Sequence, residues 1–136
     1  MHQSKGVQTM KLSKAQEAVM TTAKSEIDFA RSHSLREWAE KETHNTPEQI
    51  EKILNNWDET RHRSYTKEQY LEAMNEDVEM YMKKYGKYYE EEKNAIVLIR
   101  CNSRTLTKLE QMGLIEIIYD SNGSSFGIDT IKVLNY

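Results

Sequence analysis

This 136-residue chain is short of the residues that cross-link or interrupt a fold, with one cysteine, one proline and five glycines. A single thiol, Cys101, cannot close an intramolecular disulfide, so stability must come from packing, and nothing points to an oxidising compartment. No apolar run approaches the ~20 residues that a membrane helix requires, and the N-terminus lacks the apolar core of a secretory leader. The expectation is a cytoplasmic protein with no membrane partner. An excess of one charge is also missing: 19 basic and 22 acidic residues give a net charge of −3, mildly unfavourable for binding a polyanion. Motifs of chemistry are absent too. There is no phosphate-cradling glycine loop, no paired-carboxylate motif and no Ser-His-Asp arrangement. His33, His44 and His62 lack ligand spacing, and Glu40 with His44 supplies only two donors. These absences argue against an enzyme, and against a metal, a cofactor or a small-molecule substrate.

What is present suits one folded domain. A chain of this length buries roughly two-thirds of its unfolded surface on folding, and 30% charged with 9% aromatic residues is ordinary for a globular protein. Charge is unevenly spread. Residues 1–36 hold six bases and three acids, residues 37–93 nine bases and 15 acids, and residues 94–136 four of each. Residues 1–9 are polar without a period and are expected to be disordered, with the folded part spanning 10–136.

Helix starts are written plainly. Four segments begin with a hydroxyl residue followed three places later by Glu or Gln: Ser13/Gln16, Ser34/Glu37, Thr46/Gln49 and Thr66/Gln69. In this capping box each side chain satisfies the other residue's backbone amide. Behind the first runs a stripe of Ala15, Val19, Ala23, Ile27 and Ala30, predicting a helix to about Ser32. The second holds Leu35, Trp38 and Ala39. The third carries the only proline, Pro47, at the first helical position, where a missing amide costs nothing. The fourth shows Leu71, Met74, Val78, Tyr81, Met82 and Tyr85 on the way to Glu92, with Tyr65 and Tyr70 placed as a hydrophobic staple and Gly86 as a point where the helix ends, bends or loosens.

The last third changes character. Ala95 to Ile99 is short and β-branched and predicts a strand. Asn102 or Ser103 can cap a helix in which Leu106, Leu109 and Met112 share a face, and Gly113 stands where a left-handed residue ends it. With Gly113 just past the cap, Leu109 and Leu114 occupy the positions that touch in a Schellman motif. The strand Leu114 to Tyr119 follows, then a polar loop with Asn122-Gly123, then a strand from Gly127 to Leu134. The expected core includes Val19, Ala23, Ile27, Val97, Ile99, Leu106, Leu109, Leu114, Ile117 and Val133.

Ser13 to Ile27, then Ala95 to Tyr119, then the closing strand resemble the skeleton of a winged helix-turn-helix domain. Leu106 to Ile115 is similar to the end of its recognition helix. The lysine- and glutamate-rich style resembles small proteins of phages and mobile elements of Gram-positive bacteria. The resemblance implies an α+β, mostly α fold: a winged-helix core with a small antiparallel sheet, here carrying a helical insertion over 34–93. It also implies double-stranded DNA as a partner, as in a transcriptional regulator. Arg104, Thr107, Lys108 and Gln111 would then face the major groove, and Asn102 and Ser103 would meet phosphates at the helix start. Lys11, Lys14 and Lys24 are accessory phosphate candidates. The loop from Ser121 to Phe126 has no base, unlike a phosphate-tracking wing. The alternative is a protein-binding module, such as a host-factor inhibitor, working through the acidic insertion. Trp57, Tyr70, Tyr81 and Tyr85 are the expected homodimer or partner surface there. The lysines and tyrosines of 81–89 could suit single-stranded nucleic acid, but the run Glu90-Glu91-Glu92 would repel it. Arg61-His62-Arg63 is a small basic cluster, and Cys101 is expected as a buried structural thiol rather than a nucleophile.

Overall fold

The computed structural model describes residues 11–57, 66–119 and 128–136. The expectations for residues 1–9, the Arg61-His62-Arg63 cluster, the Tyr65 staple and the loop from Ser121 to Phe126 lie outside them. The described residues form an α+β, mostly helical protein. In chain order they are α1 (Lys14–Ser32), α2 (Leu35–Glu42), α3 (Pro47–Asn55), α4 (Lys67–Lys93), β1 (Ile96–Ile99), α5 (Ser103–Gln111), β2 (Ile115–Tyr119) and β3 (Asp129–Val133). None of these helices is long and apolar enough to cross a membrane.

The helices start where the capping residues place them. Ser13 N–H donates to Gln16 Oε1 at 2.9 Å and Gln16 N–H to Ser13 Oγ at 3.1 Å. The same reciprocal pair stands at Ser34/Glu37, Thr46/Gln49 and Thr66/Gln69. Each box removes two orphan amides that an uncapped helix would leave to solvent. At Ser34 the backbone N–H, then the hydroxyl, hold the Glu37 carboxyl below its ordinary pKa. Gly86 does not end α4, which continues to Lys93, and a methyl group added there would meet only Leu35 at 3.7 Å, an ordinary contact.

Contacts divide the chain into two compact units, Met1–Ile27 with Ala95–Tyr136, and Asp28–Asn94. The second therefore begins inside the last turns of α1, six residues before the insertion at 34–93 that the sequence suggests.

In the first unit the three strands form an antiparallel sheet in the order β1-β3-β2. Val97 pairs with Ile131 and Ile117 also with Ile131, so one face is a continuous aliphatic row. Val19, Met20, Ala23 and Ile27 of α1, with Leu106 and Leu109 of α5, complete a core with Val97, Ile99, Ile115, Ile131 and Val133. Of the expected core, Leu114 and Ile117 are only partly buried at its margin, and Ile115 and Ile131 take the central places. The register slips between Ile117 and Tyr119, leaving Ile118 in a bulge with 50% of its surface exposed. A single helix, α5, stands between β1 and β2.

The second unit is built differently. Trp38 is buried among Ala30, Ala39, Val78 and Tyr89, with Tyr81 and Tyr85 partly buried beside it. Its indole N–H donates to Glu92 Oε1 at 3.0 Å, and the Tyr89 hydroxyl donates to the His33 carbonyl at 2.5 Å. Asn45, also buried, donates to Asp77 Oδ2 at 2.9 Å.

Candidate functional site

The candidate surface is the outer face of α5. Asn102 is extended, with φ −68° and ψ 131°, and its side-chain oxygen accepts the Arg104 N–H at 2.7 Å, which fixes the helix start. Leu106 and Leu109 are fully buried, and this orients the rest. A helix that buries positions 106 and 109 must turn 104, 107, 108 and 111 outward. Arg104, Thr107, Lys108 and Gln111 are all exposed, as is Asn102, while Ser103 is half-buried. The Thr107 hydroxyl donates its hydrogen to the Ser103 carbonyl at 2.9 Å, leaving its methyl group and the two acceptor lone pairs of its oxygen.

The C-terminal end of α5 is fixed by backbone geometry. Gly113 has φ 79°, its N–H donates to the Glu110 carbonyl at 2.9 Å, and the Leu114 N–H donates to the Leu109 carbonyl at 3.1 Å. These are the two bonds of a Schellman cap. It turns the chain from α5 into β2 within three residues, so helix and strand hold a fixed relation.

Electrostatics at this face differ from the sequence count. Residues 94–136 hold as many acids as bases. Yet Asp129 is 1% exposed, on the core side of β3 opposite Ile99. Glu110, the one acid of α5, accepts the Ile117 N–H at 2.8 Å and is drawn to β2. Arg104 and Lys108 form no ion pair among the described residues, and Arg100 is exposed just before α5. Sequence reasoning missed Arg100; the end of the strand pattern at Ile99 was the signal that could have marked it. Cys101 is half-buried rather than buried. Its thiol contacts the Asn102 carbonyl at 3.4 Å, and burial, then the nearby Asp129 charge, push its pKa up. That suppresses the thiolate a nucleophile needs.

The aromatic candidates of the second unit sit elsewhere. Tyr70 is 5% exposed and meets Trp57 edge-on at 5.5 Å between ring centroids. Burial raises the pKa of its phenol. Tyr81 lies 5.5 Å from Trp38 and 4.6 Å from Tyr85, both tyrosines half-buried. Their rings thus serve the packing of this unit first. Lys14 is exposed on α1, while Lys24 is half-buried, with its ammonium 5.3 Å from the Tyr136 ring. Among the described residues, no three His, Cys, Asp or Glu side chains come together as metal donors.

No protein-family model, no curated protein and no solved structure matches this chain.

Proposed function

We propose that the first unit is a winged-helix-like DNA-binding module that presents α5 to duplex DNA. The observation that carries this reading is the basic, acid-free outer face of α5. Arg104 and Lys108 are exposed on it, Arg100 is exposed just before it, Glu110 is tied to the Ile117 amide, and Asp129 is out of solvent. Counted over the whole chain, this unit holds eight bases against six acids, while the second holds 11 against 16. The excess of negative charge thus belongs to the other unit. The strand order β1-β3-β2, with a helix ahead of β2 and β2 paired to β3, also supports the reading. It departs from a two-helix turn, because α5 alone stands between β1 and β2. Recognition therefore rests on one short helix, with Arg104 and Lys108 reaching phosphates or guanine edges and Gln111 a base edge. A regulator of transcription is the role that fits such a module.

The test is a fluorescence-anisotropy titration against pooled duplex fragments at two salt concentrations, with an Arg104→Ala, Lys108→Ala variant alongside. Binding should weaken with salt, and each phosphate partner removed by the substitutions should lower the log–log salt slope by about one. Absence of binding at low salt, or identical curves for the variant, would overturn the reading and leave the acidic second unit, as a protein-binding surface, the better account.

A further inference from the structure

We propose that the open edge of β1 is a self-association site, at which two copies of the chain pair their β1 strands antiparallel and merge their sheets into one of six strands. This inference does not rest on the DNA reading.

The edge is a consequence of strand order. β3 is central, so among the described residues β1 and β2 each have one side without a neighbouring strand. The two sides are not equivalent. β2 carries Glu116 and is broken by the bulge at Ile118, both devices that discourage further pairing. β1 reads Ile-Val-Leu-Ile, with no charge, proline or bulge. Its hydrogen-bond phase is fixed by the Val133 N–H donating to the Ala95 carbonyl at 2.9 Å. Bonding alternates along an antiparallel ladder, so Val97 and Ile99 bond toward β3 while Ile96 and Leu98 turn their N–H and C=O groups away from it, and Arg100, just past the strand, is next in the same phase. Among the described residues, no other backbone group meets those of Ile96, Leu98 or Arg100.

This edge borders a groove of about 310 Å³, formed by Leu98, Ile99, Arg100 and Cys101 on one side and Ala15, Ala18, Val19 and Thr22 on the other. Along the same face of α1 it continues into a hollow of about 530 Å³ that also holds Lys14, Glu17 and Thr21. Beside the strand edge the helix wall is thus mostly of small side chains, Ala15, Ala18 and Thr22.

A second copy fits this site better than a generic strand because every component is self-complementary. A two-fold axis through Leu98 places it opposite its own copy, Val97 opposite Ile99, and Ile96 opposite Arg100. The outward-facing residues Ile96, Leu98 and Arg100 are then the hydrogen-bonded ones in both strands, and the core-side residues stay on one face. Leu98, 44% exposed in the single chain, is covered at the axis. That axis stands perpendicular to the joined sheet, so both α1 helices lie on the same side. They can approach closely through Ala15, Ala18 and Thr22. Each brings one base, Lys14, and one acid, Glu17, so the antiparallel pair carries no net charge at the seam. The two Arg100 residues fall at opposite ends of the strand pair. Four residues of strand separate them by roughly 14 Å, beyond the screening length at physiological salt.

Light scattering of the full chain should give a mass twice the 16.0 kDa of one copy. Leu98→Lys should return it to one copy with an unchanged circular dichroism spectrum, whereas Ile118→Lys on the bulged edge should leave the dimer intact. For the register, Leu98→Cys in a Cys101→Ser background should cross-link on mild oxidation. A directly opposed, hydrogen-bonded pair has Cα atoms about 5.5 Å apart, within disulfide range. Lys132→Cys on the central strand in the same background should not cross-link. A monomer at every concentration overturns the proposal. So does a dimer that Leu98→Lys leaves intact, or one in which the Leu98→Cys variant fails to cross-link; capture of extended peptides by the monomer would then assign the groove to a different strand donor.

Discussion

The two units solve the problem of a core in different chemistry. The first packs aliphatic side chains from a helix pair onto a sheet, and its centre holds Ile27, Leu106, Leu109, Ile115 and Ile131. The second packs aromatic rings between helices, and its rings are tethered by polar bonds: Trp38 to Glu92, Tyr89 to the His33 carbonyl. Burying an aliphatic side chain needs only removal from water, whereas a buried indole or phenol must also find a partner for its N–H or O–H. The first kind of core tolerates imprecise placement; the second demands that a carboxylate or carbonyl arrive with the ring. The same contrast decides which parts are exposed for use. In the first unit Arg104, Lys108 and Gln111 of α5 stay exposed on the outside, while in the second Glu92, Asn45 and Asp77 are engaged in hydrogen bonds within the unit.

Substitutions can break this comparison at unequal cost. Trp38→Ala should be the most damaging, about 3–5 kcal/mol, since it leaves a cavity and removes a donor from the buried Glu92. Leu109→Ala should cost about 2–5 kcal/mol, a loss of apolar packing without a polar component. Trp38→Phe then separates the two contributions: it restores a ring but not the N–H, so if the polar tether matters it recovers only part of the loss. Urea denaturation followed by circular dichroism measures all three, and a near-zero loss for Leu109→Ala would refute the assigned face of α5.

The helix ends offer a smaller, reciprocal pair. Gly113 in the first unit and His44 in the second both sit just past a helix with positive φ, 79° and 58°, in the same capping geometry. Gly113→Ala should cost about 1–2 kcal/mol, purely from the backbone, because an added methyl group there meets nothing within 4 Å. His44→Gly should give a gain of about 0.5–1 kcal/mol, with the relief of the left-handed residue partly offset by a more flexible unfolded chain. Midpoint shifts in the same denaturation experiment check both signs.

These contrasts also explain what could be seen in the sequence. Every capping box formed, because its two residues need only each other and the intervening turn. Gly113 was legible for the same reason: glycine names its own conformation. His44 and Ala95 adopt left-handed φ without glycine, and nothing local announces that. The α+β class, the small sheet and most of the aliphatic core followed from periodicity, since Val97 and Leu106 report their faces by spacing alone. Ile115 and Ile131 displaced Leu114 and Ile117 from the centre because register, a non-local property, chooses between neighbours. Tyr70 looked like an open ring because an aromatic on a polar helix has the same spacing whether or not Trp57 closes over it. For the candidate site, the exposed residues of α5 were readable from two buried leucines. The charge of its surroundings was not, because Asp129 leaves the surface and Glu110 is diverted only once β3 and β2 are in place.

The bulge at Ile118 has a consequence for the size of any assembly. A three-stranded sheet with two receptive edges could grow without limit, each copy offering one edge to the copy before it and the other to the copy after. Here one edge is twisted out of register and carries a carboxylate. Growth through the remaining edge uses the same surface on both partners, and such a contact is exhausted after a single event. One irregular residue therefore separates a finite object from a fibre.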